Sequence, residues 1–547
     1  MNAVTAPHNY TVRVLQHLSA KGDGVAIVAG ERRISGTEAV NTVLRFAAVL
    51  RGRGLVQGDG VALFVVNSPE AVLLQIAVHF TGCRLVFVPP EPGNSELEAL
   101  IQRADVKMLL FDPVFEERTR RIVGRTGIPH VLSIGASSLA ADFLATASDI
   151  VGLSLDEAAE GRHIATLLYT GGTTGQPKLV VHRSGYYDSY VEASYAFADE
   201  VPTERKLLIC TLVTHTSGHA AFVIGVLSDH IIVLLRVFDA GTALLVMDKE
   251  RVTSLMVVTP MLYELLDHPD CPASGFPALA TLRYTGAAAS PARLRQAIER
   301  FGPVLHQIYG ATEDGLVTLL LPQEHDLLRP ESLTSCGRPG PGVEVELRDD
   351  YGKPVAVGQL GEVHVRSRAV MEGYWNDPER TAEVLSDEGW FRSGDIARQD
   401  ENGYLYLVDR VKDIIVTGST ADNVYSRLLD DFLTAQSDIK DAATIGLPGE
   451  DAKESVHIVL VPQDPANTPD LSRLTRGIVD ALGELYEPAS YSITDSLPRT
   501  TVGKIDKKAL RSDLLAAARA SSEPLMNRGR ANTPAVAGVS PDRDTSG

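Results

Sequence analysis

Between Leu168 and His182 the sequence is LYTGGTTGQPKLVVH, with three glycines, three threonines and one lysine between two apolar runs. Glycines let a backbone approach an anion closely, threonine hydroxyls add hydrogen-bond donors, and Lys178 adds a positive charge. The stretch is not a Walker A loop, because two residues separate Gly175 from Lys178. It predicts a phosphate-binding loop, although a hairpin turn with a solvated lysine is the simpler explanation of the same composition.

Apolar runs alternate with helical-period segments on both sides of this stretch. Between Gly60 and Leu132, short runs such as Val61–Val66 alternate with helix-like segments such as Pro69–Phe80. The alternation resumes after the stretch, with strand-like runs that include Ser254–Val258 and Val304–Ile308. This pattern is typical of parallel strands with helices on both faces of the sheet. The sequence therefore predicts an α/β fold with two doubly wound sheets.

The pattern changes toward the C-terminus. After Gly337, closely spaced β-like runs with Gly, Pro and Asp turns predict a small β-barrel-like subdomain over about 337–409. The charged segment VDRVKD indicates a boundary, and a small α+β domain is predicted at 413–520. Residues 521–547 are rich in Pro, Gly, Ser and Asn without periodicity, which predicts a disordered tail.

The composition restricts the classes of function. A chain of 547 residues is expected to form more than one domain. Its net charge of −19 argues against a basic nucleic-acid surface and against docking on anionic membranes. The four cysteines show no metal-binding or disulfide spacing, and neither a signal peptide nor a membrane-spanning run is recognisable. We therefore expect a cytoplasmic protein.

Further polar clusters follow predicted strands, where ligands gather in open α/β sheets. Tyr309, Thr312 and Glu313 come directly after the run Val304–Ile308. An aromatic ring there could stack on a base, a hydroxyl could donate to a phosphate, and a carboxylate could hold Mg²⁺. A turn with a surface glutamate is the simpler explanation of the same residues.

Three other segments carry polar residues in settings that favour ligands. Asp395 follows a Ser-Gly turn and Arg410 follows a strand-like run, a pair suited to a ribose diol, although aspartate is also a common turn former. Lys504 lies in a Thr-Val-Gly-Lys loop before a helix, where a solvated lysine is ordinary. His215 and His219 are spaced as metal ligands can be, but no third ligand is apparent, which favours pocket lining.

Taken in order, these motifs resemble those of the adenylate-forming superfamily, which contains acyl-CoA synthetases, peptide-synthetase adenylation domains and firefly luciferase. The resemblance extends from about Gly60 to Leu510. It is carried by the segments TGGTTGQPK, TGAAAS, QIYGATE, GYWNDPERT, WFRSGD, DRVKD and TTVGKID. It implies an ATP- and Mg²⁺-dependent ligase that joins a small acid, aryl or acyl, to AMP, releases pyrophosphate and transfers the activated group to an acceptor such as CoA.

The resemblance also implies roles for the matching residues. Lys504 would bridge the attacking oxygen and the α-phosphate, and Glu313 would bind Mg²⁺. Thr312 and Lys178 would be the other catalytic residues. The implied nucleotide-binding residues are Thr170, Gly171, Gly172, Thr173, Thr174, Gly175, Tyr309, Gly310, Asp395 and Arg410. The implied substrate pocket contains His215, Gly218, His219, Tyr284, Gly286, Ala287, Ala288 and Ala311.

The resemblance implies a mobile domain arrangement as well. Residues 1–409 would form the adenylation core, 410–412 would contain the hinge, and Lys412 would be the hinge residue. Rotation of the C-terminal domain, 413–520, about this hinge would withdraw Lys504 after the first half-reaction.

The segment after the implied hinge departs from the family pattern. CoA-forming members usually have Ser-Gly-Gly-x-Asn-(Val/Ile)-Tyr-Pro-x-Glu-(Val/Ile)-Glu, whereas Thr417–Asp430 is TGSTADNVYSRLLD. Ser419 replaces a glycine, Ser426 the proline and Leu428 the first glutamate, and two residues are inserted. A loop that lines a pantetheine tunnel tolerates side chains poorly, although loops also vary without consequence.

This departure leaves several acceptors open. They are CoA, a carrier-protein thiol, an amine, and, in a diazotase that activates nitrite without CoA, an aryl amine. A non-catalytic ligand-binding homologue is a further alternative, although such a protein has no chemical need for both Lys178 and Lys504.

Overall fold

A computed structural model describes residues 9–90, 93–170, 178–196, 204–273, 275–417, 422–448, 454–500 and 504–521. Its strands are β1 Val25–Ala29, β2 Arg32–Ser35, β3 Gly60–Phe64, β4 Arg84–Phe87, β5 Val106–Phe111, β6 His130–Ser133, β7 Ala165–Thr170, β8 Lys178–His182, β9 Lys206–Ile209, β10 Ile231–Leu234, β11 Ser254–Val258, β12 Thr281–Thr285, β13 Leu305–Tyr309, β14 Thr318–Leu320, β15 Arg338–Pro339, β16 Glu344–Arg348, β17 Leu360–Arg366, β18 Gly373–Tyr374, β19 Phe391–Gln399, β20 Leu405–Arg410, β21 Ile415–Thr417, β22 Asp422–Val424, β23 Ile439–Pro448, β24 Glu454–Pro462 and β25 Ser490–Ile493.

The α-helices are α1 Tyr10–Ala20, α2 Gly36–Gly52, α3 Pro69–Phe80, α4 Asn94–Arg103, α5 Glu116–Thr126, α6 Phe143–Ser148, α7 Ser184–Ala196, α8 Thr216–Leu227, α9 Ala240–Lys249, α10 Thr259–Asp267, α11 Pro291–Phe301, α12 Pro378–Val384, α13 Ser426–Thr434, α14 Leu471–Leu482 and α15 Lys507–Ser521. Among the described residues, no helix is both long and apolar enough to cross a membrane.

Two large sheets dominate the first part of the chain. Within the described ranges, one sheet has seven strands in the order β18-β8-β7-β4-β3-β5-β6, and the other has nine in the order β15-β14-β13-β12-β11-β9-β10-β1-β2. Their central neighbours pair in parallel. The predicted α/β fold with two sheets is confirmed, and the predicted helix at Pro69–Phe80 has the same bounds in the structure.

Helix α3 shows why these elements pack as they do. The Ser68 side chain accepts from the Ala71 N–H, and Pro69 begins the helix where its missing N–H costs nothing. The helix contacts β4 of one sheet and β1 of the other, so it lies between the two sheets. Its apolar side chains are buried all round, and each fully buried Val, Leu, Ile or Phe contributes roughly 1.5–3 kcal/mol.

Smaller sheets follow the two large ones. Strands β16, β17, β19 and β20 form a four-stranded sheet where the sequence predicts a β-barrel-like subdomain. By their contacts the described residues group into two compact units, one ending at Leu407 and the other beginning at Val408. The second unit contains the sheets β21-β22 and β23-β24-β25 with helices α13 to α15. The predicted hinge at 410–412 stays a prediction, and the predicted tail beyond Ser521 lies outside the described residues.

Candidate active site

A tight turn follows β13 at the carboxyl end of the parallel strands. Tyr309 ends the strand, and the Gly315 N–H donates to the Ala311 carbonyl at 3.0 Å to close the turn. A Cβ at Gly310 would lie 1.8 Å from the Gly315 carbonyl oxygen, so only glycine fits there. The turn carries Thr312 and Glu313, the residues that the sequence predicts for phosphate and Mg²⁺.

The Tyr374 hydroxyl lies between a carboxylate and an ammonium group. It donates to Glu313 Oε1 at 3.2 Å and accepts from Lys178 Nζ at 3.3 Å. The same Nζ lies 4.4 Å from the centre of the Tyr374 ring, a cation–π distance. Burial, together with the Glu313 charge, raises the pKa of Tyr374, so its hydroxyl keeps the proton that it donates. The structure thus brings the predicted lysine and the predicted Mg²⁺ ligand to one hydroxyl.

Backbone pairing fixes the position of this tyrosine. Gly373 and Tyr374 pair with Val181 and Val180 of β8, so β18 runs alongside the strand that begins at Lys178. On the other side, the Met371 N–H donates to the Glu313 carbonyl at 2.7 Å. Sequence reasoning missed Tyr374 as a site residue, although it lies inside the motif GYWNDPERT.

His182 ends β8 and holds the backbone of the turn after β13. Its buried ring donates from Nε2 to the Thr312 carbonyl at 2.6 Å and stacks on Tyr186, with 3.7 Å between ring centres. Burial lowers the pKa of His182 to about 4, so the ring is neutral at pH 7 and the proton needed for this bond lies on Nε2. The Thr216 hydroxyl, at the start of α8, donates to the Thr312 hydroxyl at 3.4 Å. Sequence reasoning also missed His182, the last residue of the stretch LYTGGTTGQPKLVVH.

The residues predicted for adenine and ribose are neighbours. The Tyr309 hydroxyl donates to Asp395 Oδ2 at 2.7 Å, and Asp395 is buried within β19. Burial and the Asp395 charge raise the pKa of Tyr309 well above its ordinary value. Within the predicted phosphate loop, Thr170 ends β7 opposite Lys178. Gly171, Gly172, Thr173, Thr174 and Gly175 lie outside the described residues.

The predicted substrate residues on α8 have structural partners. His215 caps the helix by accepting from the Ser217 N–H. A Cβ at Gly218 would lie 2.1 Å from a backbone oxygen of the preceding turn, so glycine is needed for this close packing. His219 is fully buried, with Nδ1 2.7 Å from Gln75 Oε1 and Nε2 3.1 Å from the Tyr187 hydroxyl. Both of its ring nitrogens are therefore engaged by the protein.

The other predicted substrate residues differ in exposure. Tyr284 is fully buried, and its hydroxyl donates to Gln307 Oε1 at 3.0 Å. Gly286 has a φ of +88°, a conformation that favours glycine. Ala287 and Ala311 are half-buried and Ala288 is exposed. The structure thus places Tyr284 and His219 in the core, and the assignment of the whole set to acid binding stays a prediction.

The second compact unit carries the remaining predicted residues. Arg410 ends β20, and Lys412 lies in the following single turn, Val411–Asp413. At Lys504 the backbone is held by two hydrogen bonds. The Thr500 N–H donates to the Lys504 carbonyl at 2.7 Å, and the Lys504 N–H donates to the Thr500 hydroxyl at 3.2 Å. Thr500 and Lys504 are therefore held to each other, and helix α15 begins at Lys507.

A largely buried polar network lies within the same unit. Lys507 Nζ is 2.7 Å from Asp430 Oδ2 and donates to the Ser426 hydroxyl at 2.7 Å. The Ser426 hydroxyl in turn donates to Asp409 Oδ2 at 2.9 Å. Burial raises the pKa of Asp430 to about 6, although Lys507 opposes this shift. Ser426 stands where the CoA-forming pattern has proline, which has no hydroxyl to make these bonds.

The donor set fits Mg²⁺ only in company with a nucleotide. Within the part of the chain that the structure describes, no group of three or more His, Cys, Asp or Glu side chains could hold a metal ion. Mg²⁺ in nucleotide enzymes usually takes one or two carboxylates together with substrate phosphates and waters. The single carboxylate of Glu313, beside Lys178 and the Thr312 hydroxyl, matches that arrangement.

Comparisons with known proteins point to one family. The sequence profile of a family described as AMP-binding enzyme matches residues 15–375. The medium/long-chain-fatty-acid–CoA ligase FadD8 of Mycobacterium tuberculosis is 33% identical over 498 residues, covering 88% of this chain and 86% of that protein. A feruloyl-CoA synthase of Amycolatopsis is 31% identical, covering 89% and 95%. The solved structure of the amide bond synthetase McbA from Marinactinospora thermotolerans has a TM-score of 0.84 and 35% identity, covering 92% and 99%.

Proposed function

Because this chain belongs to the AMP-binding enzyme family and is an AMP-forming ligase, we propose that it activates a small carboxylic acid as its AMP anhydride and transfers the acyl group to CoA. The turn after β13 is the observation that supports this most. It brings a carboxylate, a hydroxyl and, through Tyr374, an ammonium group together. A site that binds a nucleoside triphosphate with Mg²⁺ requires these groups.

In the proposed first half-reaction, a carboxylate oxygen of the acid attacks the α-phosphorus of ATP. The bond from that phosphorus to the bridging oxygen of the β-phosphate breaks, and pyrophosphate leaves. Lys178 and the loop after Thr170 would neutralise the departing phosphates, and Thr312 would donate to the α-phosphate. Glu313 would hold Mg²⁺, which supplies charge neutralisation when bound.

The remaining roles follow the same proposal. Tyr309 would contact adenine, and Asp395 and Arg410 would bind the ribose hydroxyls. Lys504 would place its charge where the new bond forms, and loss of one such donor typically costs about 10²–10³ in kcat. Rotation at Lys412 would then withdraw Lys504, and the CoA thiolate would attack the acyl carbon with AMP as the leaving group.

An amine is the second candidate acceptor. The position of the proline in the CoA-forming pattern is taken by Ser426, whose hydroxyl is built into the network with Asp409 and Lys507. Ser426 therefore makes hydrogen bonds at the start of α13 that a proline could not make, in the segment where this chain departs from the CoA-forming pattern. The likeness to an amide bond synthetase supports the same reading. An acyl-adenylate attacked by an amine would give an amide and AMP.

The test is a panel of acids incubated with the full chain, ATP and Mg²⁺, with AMP and product masses followed. Parallel reactions contain CoA, a primary amine, a carrier protein, or nitrite with an aminoaryl acid, and a last one contains no acceptor. Acid-dependent AMP with a thioester mass supports CoA, and an amide mass supports the amine. AMP that requires nitrite overturns the carboxylic acid proposal in favour of a diazotase. No substrate-dependent AMP in any reaction overturns the proposed activity on small carboxylic acids.

A further inference from the structure

Two residues with proposed roles in nucleotide binding share one partner that the family motifs do not assign. Lys178 donates to the Tyr374 hydroxyl, and this hydroxyl donates to Glu313. Their sequence positions are far apart, since Tyr374 comes 196 positions after Lys178 and 61 positions after Glu313. The pairing of β18 with β8 brings Tyr374 to Lys178, and the bond from the Met371 N–H to the Glu313 carbonyl holds the turn after β13 beside it.

We propose that Tyr374 is a positioning residue for nucleotide binding, and that its hydroxyl prevents Lys178 and Glu313 from neutralising each other. This inference rests on the proposed function. A hydroxyl can accept from an ammonium group and donate to a carboxylate at the same time. Each charged group therefore has a hydrogen-bond partner before the nucleotide binds, and the two groups do not form a direct ion pair.

The geometry supports such a spacer. In the described part of the chain, no ion pair joins Lys178 to Glu313, although each lies within hydrogen-bond distance of the same oxygen. The Tyr374 side chain is 7% exposed, and its backbone is held by β8. Burial of the ring and the fixed backbone therefore hold the hydroxyl between Lys178 and Glu313. A phosphate could take over the lysine and Mg²⁺ the carboxylate, with the phenol staying in place.

Tyr374→Phe removes only the hydroxyl. Without it, Lys178 and Glu313 are expected to pair directly, and this pair must break before nucleotide binds. Calorimetric titration with ATP and Mg²⁺ should show a dissociation constant raised roughly threefold to fivefold, the size of one modest ion pair. In acid-dependent ATP–pyrophosphate exchange, the KM for ATP should rise by the same factor while kcat changes less than twofold. An unchanged dissociation constant overturns the proposal.

Tyr404→Phe is the matched control. The Tyr404 hydroxyl also donates to a glutamate, Glu324, at 2.8 Å, and a cation, Arg338, lies over its ring at 5.0 Å. This variant loses an equivalent hydroxyl away from the turn after β13, and its nucleotide affinity should equal that of the wild type. An equal loss of affinity in both variants would mean a general effect on the fold and would sink the proposal.

A double variant tests whether the hydroxyl acts through the lysine. In a Lys178→Met background no ion pair with Glu313 can form, so adding Tyr374→Phe should change the dissociation constant less than twofold. The full single-variant loss in that background contradicts the proposed role. If the wild type binds nucleotide but no acid supports exchange, the proposed function fails while the binding comparison still decides this inference.

Discussion

Lys507→Met is expected to destabilise the second compact unit. The side chains of Lys507 and Asp430 are 18% and 16% exposed, so most of the water that could solvate a lone charge is excluded. Removing one partner of a buried ion pair lowers the free energy of unfolding by about 3–5 kcal/mol. Because Lys507 and Asp430 keep some exposure, we expect a loss near ~3 kcal/mol. The loss should be larger than for a surface pair because the Ser426 hydroxyl and, through it, Asp409 also depend on the same ammonium group.

The loss of stability caused by Lys507→Met should depend on pH. The folded-state pKa of Asp430 is raised to about 6 even with Lys507 present, and without the lysine it should rise further. A carboxyl whose pKa is higher in the folded than in the unfolded state binds more protons when folded, so its contribution to stability falls as pH rises between the two values. The loss in free energy of unfolding of Lys507→Met relative to wild type should therefore be smaller at about pH 5 than at about pH 7.5.

Hydrogen exchange of the full chain measures this, because amide protection in α13 and β23 reports the opening of the second unit directly. Lys508→Met is the control, since it removes the same charge from the exposed neighbouring position. We expect this control to stay within about 0.5 kcal/mol of wild type at both pH values. Equal protection in the two variants, or a Lys507→Met deficit that does not grow with pH, would refute the reasoning.

Three further predictions concern the site itself. Lys504→Ala should lower the acid-dependent exchange rate about 10²–10³-fold with unchanged affinity for ATP, and an unchanged rate would remove Lys504 from the mechanism. Gly310→Ala places a Cβ 1.8 Å from a backbone oxygen and should lower the free energy of unfolding by about 2–4 kcal/mol. Gly124→Ala is the control, because open space surrounds that position and the variant should not be destabilised. Denaturant titration of both variants measures the difference. His182→Ala should lower kcat for exchange roughly tenfold, because it removes the hydrogen bond to the Thr312 carbonyl. His182→Gln keeps a hydrogen-bond donor and should retain more activity. Equal rates in the two variants would contradict the role of the hydrogen bond.

Local sequence patterns predicted the parts of the fold in which short-range physics decides. Helix α3 was predictable because Ser68 and Pro69 mark its start and its apolar run is continuous. The sheet order at β13 placed Thr312 and Glu313 at a strand end, where the sequence predicts them. A glycine between Tyr309 and Ala311 was a further local signal, because a sharp turn there admits no side chain.

Contacts that depend on strand register could not be read from the sequence. Tyr374 reaches Lys178 only because β18 pairs with β8 in one register, and a shift by one residue would turn its side chain to the other face. His219 resembles a site residue in the sequence but is fully buried in the structure. Its spacing from His215 suggests a site, but its burial against Gln75 and Tyr187 follows from how α8 packs on α3 and α7, which no local pattern encodes.

Exchange of labelled pyrophosphate into ATP, measured without any acceptor, tests the central proposal most directly because it isolates the first half-reaction. We expect label to enter ATP only when Mg²⁺ and a carboxylic acid are present, and to fall at least about 10²-fold in Lys504→Ala. A wild-type protein that binds ATP and Mg²⁺ but shows no exchange with any carboxylic acid of the panel would contradict the account.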